Sequence, residues 1–193
     1  MERFDHVTLI FSMPRSRSQW FRWFLSSGCE AWHDPLVECS KPQDLINKIV
    51  KWSKAHPGSR LAVVDTGAIF FFDHLVTGMP GLKVMFLFRH LADIGASLKR
   101  QLGQDMTQVV LDQQVRMFCR AYGQSPALQR LHYNALPARK LQQVYIDITG
   151  RAIDIETVEE MSAVKIDVPM LQQKADPRAT RMLLKHVEAP PCL

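Results

Sequence analysis

Apolar residues along this chain fall into short continuous runs separated by longer stretches with helical spacing. The run Val7-Thr-Leu-Ile-Phe11 has the length and composition of a buried strand. The segment Ser18–Leu25 then places Trp20, Phe21, Phe24 and Leu25 on one helical face, with Gly28 positioned to end it. Cys29–His33 predicts a short second strand stopped by Asp34-Pro35. At Ser40-Lys-Pro42-Gln43 the pattern predicts a helix start, with Ser40 as N-cap and Gln43 closing a capping box. Leu45, Ile46, Ile49 and Val50 form its apolar stripe, and His56-Pro57-Gly58 breaks it.

Leu61–Val64, followed by Asp65, predicts another buried strand, and Ala68–Val76 a helix that stops near Gly78–Gly81. Lys83–Phe88 predicts a central strand, apolar towards both faces, with Arg89 at its C-terminal end. Ile94, Leu98 and Leu102 mark the next helix, and Leu111, Val115, Phe118 and Tyr122 a longer one. Leu128–Leu136 predicts a shorter helix, and Val144–Ile146 the last strand. Beyond Gly150 the chain becomes more polar, with a further helical stretch at Arg178–His186.

Strands alternating with helices predict an α/β fold, a three-layer α/β/α sandwich around a central, mostly parallel five-stranded sheet of the P-loop nucleotide-hydrolase type. At 193 residues the chain reads as a single domain over 1–193, with 150–193 a C-terminal extension. Its hydrophobic fraction of 47% and charged fraction of 22% are those of an ordinary globular protein. No apolar run reaches the roughly 18 residues of a membrane span. Met1–His6 lacks the apolar core of a signal peptide, and the scattered Cys29, Cys39, Cys119 and Cys192 form no C-x-x-C pair. The expectation is a cytoplasmic protein with reduced thiols and no metal site. The net charge of +5 suits an anionic ligand without naming one.

In a parallel sheet, ligands sit beyond the C-terminal strand ends. The pattern delivers Pro14–Ser18, His33, Asp34, Asp65, Thr66, Arg89 and Asp147 there, a polar and mostly ionisable set. The first turn is the richest: Ser12-Met-Pro-Arg15-Ser16-Arg17-Ser18 brings two guanidinium groups and three hydroxyls to a helix N-terminus. Unpartnered backbone N–H groups and the helix dipole favour an anion at such a place. A Walker A loop is excluded, since no glycine lies between Met1 and Ser27. His33 is the leading candidate for a general base and Asp65 the second, each at the end of a predicted strand. His90 follows Arg89, and His74 reads as exposed or structural.

The turn Pro14-Arg15-Ser16-Arg17-Ser18-Gln19-Trp20 resembles the 5′-phosphosulfate loop of the sulfotransferases that use 3′-phosphoadenosine 5′-phosphosulfate (PAPS), Pro-[Lys/Arg]-Ser-Gly-[Ser/Thr]-x-Trp. A second signature of that family, an Arg after a central strand and a Ser eight residues later, is matched by Arg89 and Ser97. Together they cover about the first half of the chain. The resemblance implies transfer of a sulfuryl group from PAPS to a hydroxyl or amine of an unidentified acceptor, with PAP as product. It implies that Arg15, Ser16, Ser18 and backbone N–H groups hold the phosphosulfate, with Arg17 and Gln19 in the same turn, and that Arg15 steadies charge on the leaving phosphate. Trp20 would pack beside the adenine, and Arg89 and Ser97 would bind the 3′-phosphate. The family's loop glycine is Arg17 here, which adds a positive group, and its late Arg-Lys-Gly segment has no counterpart, although Arg178 and Arg181 lie in that part of the chain.

Two other classes compete. A nucleotide or nucleoside kinase would use Asp65 for Mg²⁺ but would need a loop lysine and glycines that are absent. A non-catalytic module would bind nucleotide or nucleic acid through the basic face. No basic stretch with interleaved aromatics supports base stacking, so nucleic acid is not expected.

Overall fold

The computed structural model of the chain describes residues 3–13, 18–90, 92–96, 112–121, 129–132 and 136–164. Its centre is an all-parallel sheet of β1 (Val7–Ser12), β2 (Glu30–His33), β3 (Leu61–Asp65), β4 (Lys83–Phe88) and β5 (Gln129–His132), ordered β2-β3-β1-β4-β5. The helices are α1 (Ser18–Ser26), α2 (Pro42–Ala55), α3 (Phe72–Gly78), α4 (Ala138–Thr149) and α5 (Ile155–Ala163), with helical residues also at 92–96 and 112–121. Short 3-10 turns at Pro35–Glu38 and Ala68–Phe71 follow β2 and β3.

Strand pleating sorts the apolar runs into two cores. Val7, Leu9, Phe11, Leu61, Val63 and Phe86 face α2, α3 and the 112–121 helix, where they meet Leu45, Ile49, Leu75 and Phe118. Ile10, Ala62, Val64, Met85 and Leu87 face the other way, onto Phe21, Phe24 and Leu25 of α1 and Leu141, Val144 and Ile148 of α4. With both faces covered, β1 and β3 are buried at every position, which is why they read as continuous apolar runs. The predicted stripe on α1 is the buried one: Trp20, Phe21, Phe24 and Leu25 are each at most 4% exposed. No helix among the described residues is long and apolar enough to cross a membrane.

Four predicted strands are found close to their expected bounds, and the fifth is not. Val144–Ile146 lies inside α4, because Leu141, Val144, Tyr145 and Ile148 form one buried helical stripe. Asp147 therefore sits on a helix rather than at a strand end, and its carbonyl accepts from Arg60 Nη1 at 3.1 Å. The segment predicted as the helix Leu128–Leu136 holds β5 instead, paired with β4 from Met85↔Gln129 to Phe88↔His132. The α2 cap also differs: the backbone N–H groups of Ser40 and Lys41 donate to Asp44 Oδ2 at 3.1 Å, while Gln43 bonds Asn47.

The sheet order positions the candidate site. The chain leaves β1 towards β2 and β3 on one side, then crosses to β4 on the other. Such a reversal opens a crevice at the C-terminal ends of the strands flanking it. β1 ends and α1 begins at that crevice. Phe11 is level with Asp65 on β3 and with Phe86 on β4, so the residues ending β3 and β4 share one end of the sheet with α1's start.

Candidate active site at the strand ends

The start of α1 and the loops after β2 and β3 meet through side chains. Ser18, the first residue of α1, is buried at 9% exposure, and its Oγ lies 2.9 Å from His33 Nε2 at the end of β2. The same His33 nitrogen is 3.4 Å from Asp34 Oδ2. Asp34 takes a left-handed backbone conformation, φ 45°, that Asp tolerates better than most side-chain-bearing residues. Its other oxygen, Oδ1, accepts from Thr66 N at 2.7 Å and from Thr66 Oγ1 at 2.9 Å. A connected path thus runs from the start of α1, across β2, to the loop after β3.

Asp65 lies beside this path with a different task. It is 1% exposed; its Oδ1 accepts from Gly67 N and Ala68 N at 2.8 Å, and its Oδ2 from Leu36 N at 2.9 Å. One carboxylate therefore satisfies the first backbone donors of both 3-10 turns. Burial, and then the Asp34 charge, push its carboxyl up to about 7, against the three backbone N–H bonds that hold it down. A near-neutral carboxyl suits a base, but one closed in by Leu36, Gly67 and Ala68 cannot reach a substrate. The second candidate base is an anchor for two loops.

His33 keeps access. Its side chain is 21% exposed, and it lines a cleft of about 480 Å³ along the edge strand β2 with Gln19, Arg22, Trp23, Trp32 and Lys48. Burial pulls the imidazole below its ordinary range; the neighbouring Asp34 charge opposes this, and Arg22 adds to it. Neutral imidazole is the form a base needs. Arg22 is fixed by its Nε–H donating to Ala31 O at 3.0 Å.

The start of α1 is suited to an anion. Its first turn carries no acidic side chain, so nothing negative on the helix competes with a ligand for the dipole and the leading N–H groups. Gln19 lines the β2-edge cleft. Trp20 is 4% exposed, stacks on Phe24 with centroids 5.0 Å apart, and donates its indole N–H to Met161 O at 3.1 Å. Its ring and its one donor are thus occupied within the α1–α5 core. Arg89 stands directly after β4, with Nε 3.9 Å from Asp93 Oδ2 one helical turn on. Arg15, Ser16, Arg17 and Ser97 lie outside the described residues.

His74 is exposed on α3, and Phe71 and Phe72 are buried in the core. The Cys29 thiol is pushed up to about 11 by burial and points to Leu25 O at 3.6 Å, which makes it a poor nucleophile. Sequence reasoning missed Gln114, which is 3% exposed and donates to Thr66 O at 3.2 Å, tying the 112–121 helix to the same path. Nothing in the helical periodicity singles it out. A second cleft, about 550 Å³, lies at the opposite end of the sheet, where α1, α2 and α4 all end. Arg60 there already serves the last carbonyls of α4, those of Asp147 and Ile148.

No protein-family model and no curated protein sequence matches the chain. Among solved structures it is similar to the sulfotransferase domain of the Synechococcus PCC 7002 olefin synthase, with a TM-score of 0.55 and 19% identity over 97% of this chain and 89% of that one. The two share a fold: a parallel sheet flanked by helices.

Proposed function

We propose that this protein is a sulfotransferase that takes a sulfuryl group from PAPS and delivers it to a hydroxyl or amine. The observation that carries the proposal is the 2.9 Å contact between Ser18, at the head of the anion-favouring helix, and His33, the accessible imidazole at the end of β2. It brings a base to the place where the motif Pro14–Trp20 would hold the phosphosulfate. The shared fold with a sulfotransferase domain supports the same reading.

In this proposal PAPS supplies an activated sulfuryl group whose leaving group is the phosphate of PAP. The α1 N–H groups and Ser18, with Arg15, Ser16 and Arg17, hold that anion and steady the charge that grows on it. Arg89, with Ser97, takes the 3′-phosphate, where the guanidinium can bond two oxygens at once. His33 accepts the proton that the acceptor loses as its oxygen or nitrogen attacks sulfur. The β2-edge cleft gives the acceptor its approach to His33, and Asp65 keeps the surrounding loops in place.

Thermal shift tests this directly. Saturating PAP without Mg²⁺ should stabilise the protein by roughly 2–4 kcal/mol at a hundred to a thousand times Kd, and AMP much less. Arg89→Ala should remove the preference for PAP over AMP. Stronger stabilisation by ATP with Mg²⁺ than by PAP would overturn the sulfotransferase reading in favour of a kinase.

A further inference from the structure

The two polar groups that meet His33 lie on one ring nitrogen. Ser18 Oγ is 2.9 Å from Nε2 and Asp34 Oδ2 is 3.4 Å from the same atom, while Nδ1 has no hydrogen-bond partner among the described residues. A serine hydroxyl can donate or accept, but an ionised carboxylate can only accept. Asp34 is also held in place: its Oδ1 is taken by the N–H and the hydroxyl of Thr66, which leaves Oδ2 towards the imidazole. The carboxylate charge therefore favours a proton on Nε2, directed to Ser18 Oγ with Asp34 Oδ2 alongside, and the lone pair of the neutral ring then falls on Nδ1.

We infer that Asp34 is a positioning residue that fixes His33 as the Nε2–H tautomer, so that Nδ1 is the atom which takes the acceptor's proton. The catalytic half of this inference rests on the sulfotransferase reading; the tautomer does not. When the acceptor X–H attacks sulfur, the X–H bond breaks, its proton goes to Nδ1, and the ring becomes an imidazolium with both nitrogens protonated. Asp34 then faces the new positive charge across the Nε2–H, and Ser18 carries the same contact to the head of α1. The anion site and the base are in this way linked through the nitrogen that does not react.

Asparagine at position 34 provides a sharp perturbation. It tolerates the left-handed backbone as aspartate does, and its Oδ1 can keep both Thr66 bonds. Its amide would then present a donor to Nε2 where the carboxylate presents an acceptor. The proton should move to Nδ1 and block the reacting atom.

The test is a long-range ¹H–¹⁵N spectrum of the full chain labelled with ¹⁵N-histidine, at slightly alkaline pH, with the His33 signals assigned by their loss in His33→Gln. The expected result is an imine-type Nδ1 and a protonated Nε2 in the wild type, reversed in Asp34→Asn. Turnover of PAPS should fall about a hundredfold or more in Asp34→Asn, while the thermal shift by PAP stays unchanged. A wild-type His33 protonated on Nδ1, or a tautomer that Asp34→Asn leaves untouched, would overturn the positioning role. A wild-type protein with the expected tautomer but no response to PAP would instead overturn the sulfuryl-transfer reading and with it the role of Nδ1 in catalysis.

Discussion

Replacing Asp65 with asparagine separates the two burdens this buried carboxyl carries. The substituted side chain keeps one carbonyl oxygen, which can still accept from Gly67 N and Ala68 N, but puts an amide where Oδ2 now accepts from Leu36 N. Donor then faces donor in a site that is 1% exposed, at a cost of about 1–3 kcal/mol for the orphaned N–H. Against this, asparagine carries no charge. The carboxyl of Asp65 is raised from 3.8 to about 7 in the fold, so the folded state holds its proton more tightly than the unfolded chain does. The sign follows: between those values the unfolded state binds fewer protons, and stability falls as pH rises. From pH 5 to pH 8 the wild type should give up about 2–3 kcal/mol through this group alone. The Asp65→Asn variant gives up none of it, and the titrations of groups remote from Asp65 are common to both proteins. Urea unfolding at the two pH values should therefore show a penalty for Asp65→Asn at pH 5 that shrinks or changes sign at pH 8. An equal penalty at both would mean that Asp65 ionises in the fold as freely as in the unfolded chain, and the account of its burial would be wrong.

His33→Ala should abolish transfer from PAPS yet leave the thermal shift by PAP nearly intact; surviving turnover would place the base elsewhere. Gly150 ends α4 with φ 70°, and a Cβ built there would lie 2.9 Å from the Arg60 guanidinium. Gly150→Ala should lower stability by about 1–3 kcal/mol, from the left-handed strain and from the displaced Arg60 cap together, as read by urea unfolding; an unchanged midpoint would show that the cap is dispensable.

Three of the four legible strands lie in the interior of the sheet; the fourth, β2, is an edge strand marked by the Asp34-Pro35 stop. Val7–Ser12, Leu61–Asp65 and Lys83–Phe88 carry continuous apolar runs because α-helices cover each side of the sheet. β5 was not legible: Gln129-Arg-Leu-His132 lies at the sheet's edge and carries one apolar residue among four. Val144-Tyr-Ile146 was misread for the opposite reason. Its β-branched and aromatic residues suit a strand in isolation, and only the longer spacing to Leu141 and Ile148 shows the helix. The strand-end positions of His33, Asp65 and Arg89 could be read from the runs before them. Their distant partners could not, since Ser18 at the head of α1 reaches His33, and Leu36 in the turn after β2 reaches Asp65, only once the sheet has formed.

That distinction decides which of the two candidate bases can act. Both sit at the ends of neighbouring strands, and burial favours the uncharged form of each, moving the imidazole downward and the carboxyl upward. That shared tendency leaves the choice of base open. Access does not: His33 is 21% exposed beside a cleft, whereas both oxygens of Asp65 are engaged by backbone donors under the chain's own atoms. The Asp34 charge acts on both in the same direction, supporting protonated His33 and opposing ionised Asp65. A single carboxylate on the turn between them thus favours a proton on either neighbour. Only the neighbour that meets solvent can pass that proton on, so in the proposed transfer the chemistry belongs to His33 and the architecture to Asp65.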